Sequence, residues 1–560
     1  MKLKLKQYGP LIISVLLLWV TLILILNDSL SKTQGHPVYA LDDAYIHISM
    51  AKNFSQHGTW GVTSHEFSST SSSLLWTLLL SALYFIFGVN ETIPLLMNFF
   101  FATLLLAFIF YILREYRFPP WIQTLIPMAF IFFIPLSYLV FGGLEHILQI
   151  IIDLAYVSIA AHVITGETPA KKNSPESTRN TFFLLAPLAF LVSMVRYEGL
   201  FILFAVSLLL VARKKWFIFF INAGAGILPI VIYGMISFSK GWYFLPNSVL
   251  LKGTRPDFTN LEKILGFLYA GLRQVIYNIH LLVLLIVILA FVWAFIKKYN
   301  RLWLLPNAMA LIFIITLSCQ AFFSESGYYL NRYPWIRYDG YLVALGMLTI
   351  SIAAGYWHSR QEPQKVTGKA GKKIIGEKII EGLLVFVLIL PLAERGIRID
   401  LKIIQAMSNI HGQQYQVGLF LKKYYANQPV AINDIGAICF MADVRCLDVW
   451  GLANKDISDL LLNKTYTTEN LTRITQLSGA HIAVVYDQFF RLVGINSDLP
   501  KTWVKVAQWR IPNNVVCVRD TVTFYAADQS ETPRLTENLR EFMSQLPPEV
   551  IQTGVFKADF

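Results

Sequence analysis

The strongest constraint on this chain is a series of long apolar runs. A helix crossing roughly 30 Å of hydrocarbon needs about 20 mostly apolar residues, and it must satisfy its backbone polar groups within itself. Such runs lie near 8–27, 94–113, 121–139, 145–164, 181–197, 200–213, 216–238, 278–297, 302–323, 338–357 and 374–393, a few of them short. These eleven commit residues 1–393 to a polytopic α-helical membrane module. Composition agrees, with 55% of the 560 residues hydrophobic and 15% charged, against roughly a quarter charged in soluble domains. An ordinary soluble enzyme is excluded.

A further apolar helix, 73–88, has 16 residues and reaches only about 24 Å. Whether it crosses fixes the sidedness of everything after it. If it does not, and the N-terminus with Lys2, Lys4 and Lys6 is cytoplasmic, the inside loops are 114–120, 165–180, 213–215, 297–301 and 358–378. These carry Arg114, Arg117, Lys171, Lys172, Arg179, Arg213, Lys214, Lys215, Lys297, Lys298 and Arg301, with six more basic residues in the last. All five loops then obey the positive-inside rule, whereas a crossing would put all five outside. The segment is therefore read as a helix packed into the outer leaflet, within a long first external loop, 28–93. The net charge of +12 becomes mostly an orientation signal, and no nucleic-acid partner is expected. The first apolar run is read as a retained span, because the cleavage-like Val38-Tyr39-Ala40 lies about a dozen residues beyond it.

With eleven spans, 394–560 emerges outside, and its 167 residues suffice for one soluble domain. It reads as mixed α/β: an amphipathic helical stretch near 397–426, then β-rich runs at 429–441, 445–450, 480–487 and 515–526. A Cys439–Cys446 bridge across a hairpin stands beside the alternative of ordinary buried thiols.

Given this sidedness, the unusual polar residues of the membrane half fall on the outer face. They are Asp42 and Asp43 at the start of an amphipathic helix expected to lie along the interface, Glu145 and His146 after the third span, Arg196 and Glu198 between the fifth and sixth, Asn247 and Lys252 after the seventh, and Arg332 with Arg337 and Asp339 between the ninth and tenth. Five segments converging on one face suggest the walls of one site. Each has a plainer reading. Asp42 suits an N-cap, Glu145 a solvated interface residue, Arg196 and Glu198 a mutual pair, and Arg332 a snorkelling side chain. Adjacent carboxylates on an external loop supply a general base or bind a divalent metal such as Mg, Mn or Ca; His47, one turn after Asp43, is a weaker ligand candidate. Arg196, Lys252 and Arg332 suit the phosphate of a membrane-borne donor. With no phosphate-cradling glycine loop in the sequence, an already activated polyprenyl-phosphate sugar fits best.

The stretches DDAYIHISMAKNFSQHGTWG (42–61) and STSSSLLWTLLL (69–80) resemble the first external loop of the membrane glycosyltransferase C (GT-C) superfamily, in the branch that includes bacterial arabinofuranosyltransferases. GGLEHIL (142–148), VRYEGL (195–200), LPNSVLLK (245–252), RYPWIRY (332–338) and DIGAICFMADVRCLDVWGL (434–452) follow in the family's order. The resemblance implies a multi-pass protein of the bacterial cytoplasmic membrane that moves a sugar from a polyprenyl-phosphate donor to a glycan, lipid or protein acceptor on the extracytoplasmic face. It also implies that Asp42 or Asp43 is the base or metal ligand, that Glu145 is the second-loop acid, and that Arg196 and Lys252 contact the donor. Leu74 and Tyr197 stand where many relatives have proline. The loops at Asp434 and Trp450 are expected to cover the cavity mouth and help bind acceptor, although Trp450 also suits a domain core. Two rivals remain: a lipid or sugar transporter, which predicts inverted repeats and midplane charges, and an O-antigen polymerase or ligase, which relies on large late loops.

Overall fold

A computed structural model of the chain describes residues 2–167, 175–253, 256, 258–324, 335–360, 386, 389–495 and 497–554. Among them, seven helices are long and apolar enough to cross a membrane: Gln7–Lys32, Ile93–Glu115, His146–Thr165, Trp216–Ser239, Ile279–Tyr299, Leu305–Phe323 and Arg337–Ser359. Three other expected spans are shorter apolar helices, Pro120–Phe133, Phe183–Val195 and Gly199–Ala212. Most of the eleventh, 374–393, lies outside the described residues. The expected span 121–139 is interrupted, because helix stops at Phe133 and resumes at Leu136; Pro135 between them has no N–H to continue the ladder. Helix Leu261–Tyr277, opened by the Asn260 side chain accepting the Lys263 N–H at 2.9 Å, is announced by no apolar run.

The short helix Leu74–Phe87 is tied at both flanks to one earlier stretch of the chain. Its 14 residues extend roughly 21 Å, too short to cross. Thr77, in its first turn, hydrogen-bonds His47 Nδ1 at 3.0 Å. Beyond its far end, the Glu91 carbonyl accepts from the Tyr39 hydroxyl at 2.5 Å and the Leu95 N–H donates to that hydroxyl at 3.1 Å. Both flanks are thus tied to the 39–47 stretch, so the chain returns to the end of the bundle it left. At the opposite end Arg114 stacks on Tyr8 (5.3 Å), Arg213 on Trp303 (5.1 Å), Lys298 on Trp357 (4.1 Å) and Arg360 on Tyr356 (4.2 Å). The basic residues of four expected inside loops gather there, among aromatic rings.

The C-terminal region carries a six-stranded sheet of β1 (Pro429–Ile432), β2 (Arg445–Asp448), β3 (Ile482–Val485), β4 (Val504–Arg510), β5 (Thr521–Ala526) and β6 (Ile551–Gly554). The order is β2-β1-β3-β5-β4-β6, with β1 parallel to both β2 and β3 and the remaining pairs antiparallel. Side chains alternate between faces: Val430, Ile432, Ile482 and Val484 enter one core, and Ala431, Ala483 and Val485 enter the other. β1 and β2 are parallel, so no hairpin joins Cys439 to Cys446; the two are free thiols whose side chains interact. The run 429–441 holds a four-residue strand followed by the helix Ala437–Met441.

Helix Asp42–His57 does not lie along the interface as expected. Ala44, Tyr45, Ile48 and Ala51 pack into the core of the bundle, while Ile46 and Met50 pack into the first core of the sheet domain. Apolar residues all round a helix demand burial on every side, and here the soluble domain supplies the second side.

Candidate functional site

The site is built from the first turn of that helix. Leu41, not Asp42, occupies the N-cap position and makes no side-chain cap. Asp42 caps another helix instead, its carboxylate accepting the backbone N–H of Gly436 at 3.0 Å and of Ala437 at 2.8 Å. Gly436 is required there, since a Cβ would lie 2.1 Å from the Asp42 carbonyl oxygen and 2.6 Å from Oδ2. Behind it, Asp434 accepts from the Tyr486 hydroxyl (2.7 Å) and from Gln414 Nε2 (3.0 Å). Burial, reinforced by the charges of Asp434 and Asp43, pushes the Asp42 carboxyl up to about 8. Asp434 is raised as well, chiefly by burial.

Asp43 is the open member of the pair, with 35% of its side chain exposed, and it accepts from Arg337 Nη2. The Arg337 guanidinium stacks on the Tyr338 ring at 4.9 Å, and Arg196 stacks on the same ring at 5.3 Å. Arg196 donates through Nε (3.0 Å) and Nη2 (2.8 Å) to Glu198 and through Nη1 to Glu145. Glu145 is fully buried, and its Oε2 lies 3.9 Å from His47 Nε2. His47 Nδ1 hydrogen-bonds the hydroxyls of Thr77 (3.0 Å) and Ser71 (3.2 Å). The circuit Asp43, Arg337, Tyr338, Arg196, Glu145, His47 closes on the helix where it began.

This geometry revises several expectations. Glu145 is a buried partner of Arg196, not a solvated interface residue. Arg196 does pair with Glu198, and its three nitrogens each serve a carboxylate, which takes three of its five N–H donors. Asn247 is buried, donating to the Gly451 carbonyl (2.9 Å) and Ser458 Oγ (3.1 Å) while its N–H reaches the Ser69 carbonyl (2.8 Å). It is a strut between the first loop and the soluble domain. Trp450 is half-buried, edge-on to Phe489 at 5.6 Å against the second sheet core. His146 is buried edge-on to Tyr338 at 6.1 Å. The side chain of Lys252 and the whole of Arg332 lie outside the described residues.

Not every polar group sits at the outer face. Gln149 and Asp153, one and two turns below Glu145, are buried within the bundle, and neither Asp153 oxygen has a hydrogen-bond partner among the described residues. As for a metal, both Asp42 oxygens hold backbone N–H groups, Asp43 faces a guanidinium, and His47 faces hydroxyls and Glu145. No group of three ligating side chains comes together among the described residues. Arg337, named among the outer-face polar residues, was given no role by the sequence, and Tyr338 appeared only within RYPWIRY. Their signal was a cation between aromatic residues at the outer turn of a span.

A helical membrane bundle with a carboxylate and guanidinium circuit at one end, roofed by a soluble domain, defines the class. Its fold is shared with a solved structure. The chain superposes on ArnT from Cupriavidus metallidurans bound to undecaprenyl phosphate with TM-score 0.50 and 10% identity, over 93% of this chain and 99% of that one. The archaeal oligosaccharyltransferase AglB from Archaeoglobus fulgidus, in complex with an inhibitory peptide and a dolichol-phosphate, matches at TM-score 0.45 and 11% identity over 94% and 75%. Residues 407–525 match a domain of unknown function, DUF8728. No curated protein matches in sequence.

Proposed function

We propose that this chain is a membrane glycosyltransferase that takes a sugar from a polyprenyl-phosphate donor at the face carrying the soluble domain. The observation that carries the reading is Asp43, a part-exposed carboxylate paired with Arg337 at the end of the bundle that carries the soluble domain. The ArnT structure of similar fold is bound to undecaprenyl phosphate, which supports a lipid-phosphate ligand here. Asp43 takes the proton of the acceptor hydroxyl as that oxygen attacks the anomeric carbon. The bond from that carbon to the phosphate oxygen breaks, and polyprenyl phosphate leaves with the electron pair. Lys252 and Arg332 are the candidate cations for the departing phosphate, and Arg337 is released to it if Asp43 becomes protonated. Asp42, occupied by Gly436 and Ala437, positions the soluble domain. The basic end of the bundle is assigned to the cytoplasm and the reaction to the outer face of a bacterial cytoplasmic membrane, and the resemblance to the arabinofuranosyltransferase branch makes an arabinofuranosyl donor the first to test.

The test is transfer in detergent from a panel of polyprenyl-phosphate pentoses and hexoses, read as release of free polyprenyl phosphate. Release from one donor in the presence of an envelope glycan fraction is expected. Failure of every donor overturns the reading.

A further inference from the structure

Beside the carboxylate circuit, a second set of buried charges has no part in the reaction as proposed. Asp339, 0% exposed, accepts from His280 Nε2 at 2.6 Å and from Arg395 Nη2, and both partners are themselves buried. A carboxylate only accepts, so the His280 nitrogen facing it is the protonated one. The three residues come from three elements: His280 from the first turn of helix Ile279–Tyr299, Asp339 from the start of helix Gly340–Ser359, and Arg395 from the helical residues 389–400 that lead into the soluble domain.

That leading helix is seated on the break in the expected span 121–139. Arg395 Nη1 donates to the Phe133 carbonyl at 3.1 Å, at the point where helix Pro120–Phe133 stops, and just beyond the break Ser137 Oγ donates to Asp400 at 2.7 Å. The two segments are in close contact, since a Cβ on Gly396 would lie 1.9 Å from the Phe132 carbonyl oxygen. Through Arg395, Asp339 is tied to the seat of the soluble domain.

Asp339 occupies the N-cap position of its own helix, where an aspartate ordinarily accepts from the first turn, yet it makes no such bond. Its side chain turns to His280 and Arg395 instead. Two residues earlier in the same turn, Trp335–Asp339, Arg337 reaches Asp43, and Tyr338 between them carries the guanidiniums of Arg337 and Arg196. A 3₁₀ turn of five residues is a weakly bonded element, so its direction is set by what its side chains grip. A buried ion pair is a weak source of stability, but it can fix one conformation among several.

We propose that Asp339 is a positioning residue: held by His280 and Arg395, it fixes the turn Trp335–Asp339 so that Arg337 stays against Asp43, and it links the seat of the soluble domain to that pair. Its consequence for transfer rests on the reading of Asp43 above, while its hold on Arg337 does not.

The pH midpoint of Asp43 reports the contact, and the sign of its shift separates two causes. Losing the Asp339 charge alone lowers the midpoint, whereas losing the Arg337 guanidinium raises it. The charged and titratable groups facing Asp43 are Arg337, Asp42, Asp434 and Tyr138, and those facing Asp339 are His280 and Arg395, with Arg398 beyond. Variants at Asp339 and His280 leave the first set intact. Carbodiimide coupling of an amine to Asp43 across pH, on full-length protein in detergent and read by mass spectrometry with fragmentation that separates Asp43 from Asp42, gives the midpoint without turnover.

Asp339→Asn is expected to raise the midpoint by about one pH unit or more. Because that variant leaves Arg395 uncompensated and can fail to fold, His280→Phe and His280→Gln carry the same test. The first loses one hydrogen bond and should raise the midpoint by less; the second keeps a donor and should restore it. The acid limb of the transfer rate should move with the midpoint in each variant. A midpoint unchanged or lowered in the folded variants, whatever their loss of unfolding temperature, overturns the inference, because a merely structural pair costs stability alone. If the midpoint rises but wild type transfers no sugar, the positioning role stands and the transferase reading falls. If transfer depends on Asp43 while no variant moves the midpoint or the acid limb, the reverse holds.

Discussion

The carboxylate of Asp42 and the backbone N–H of Ala437, 395 positions apart, meet at 2.8 Å. One residue of the first external loop thereby caps a helix of the C-terminal domain, and its neighbour Asp43, 35% exposed, accepts from Arg337. The two acids that sequence alone could not tell apart differ in their partners, backbone N–H groups of the soluble domain for Asp42 and the Arg337 guanidinium for Asp43.

If Asp42 holds the domain, Asp42→Ala should loosen it by the value of a lost cap, about 1–2 kcal/mol. Gly436→Ala should do the same from the other side, since its Cβ has no room beside Asp42. Both are expected to lower the unfolding temperature and to quicken proteolysis between the bundle and β1. A Gly436→Ala protein as stable as wild type would contradict the cap.

Arg196 neutralises two carboxylates, one of them fully buried. Arg196→Ala leaves them uncompensated, at a cost of about 3–5 kcal/mol, and folded yield in detergent should collapse. Arg196→Lys restores the charge but not the two-pronged contact with Glu198, so yield should recover in part.

The raised Asp42 carboxyl sets a pH dependence. Its folded value of about 8 stands above the ordinary 3.8, so between those limits the folded state binds more protons than the unfolded one. The stability it contributes is present below about 4 and lost as pH rises through about 8. Unfolding temperature should therefore fall between pH 6 and pH 9, and Asp42→Asn should flatten that fall.

Topology is open to a direct check. In a cysteine-free background, Glu115→Cys and Ala170→Cys should label only from the cytoplasmic side. Labelling from outside would mean that Leu74–Phe87 crosses after all.

Much of this was legible in the sequence because spans and loop charge obey simple length and sign rules. The return of Leu74–Phe87 to its own side was argued from loop charge, and the contact of Tyr39 with Glu91 is compatible with it. Convergence of four polar segments was also foreseeable, because charge at bilayer depth needs partners. What pairs with what was not. The occupation of Asp42 by Gly436 and of Arg196 by Glu145 depends on contacts across hundreds and tens of residues, which no local pattern encodes. The burial of helix Asp42–His57 escaped for a related reason: its apolar residues serve two cores, and one face alone looks interfacial. Asp153 escaped because a single acid hardly dents the hydropathy of a 20-residue helix.

The central claim is that Asp43 performs the proton transfer while Asp42 holds the roof. The most direct measurement is the rate of sugar transfer from a polyprenyl-phosphate donor by wild type, Asp43→Asn and Asp42→Asn, each first shown to be folded. Asp43→Asn is expected to lose at least 10²-fold in kcat, within the usual range for general-base removal of about 10²–10⁴; Asp42→Asn, which keeps an acceptor oxygen for Ala437, should retain most of it. Full activity in Asp43→Asn, or a larger loss in Asp42→Asn than in Asp43→Asn, would contradict the account.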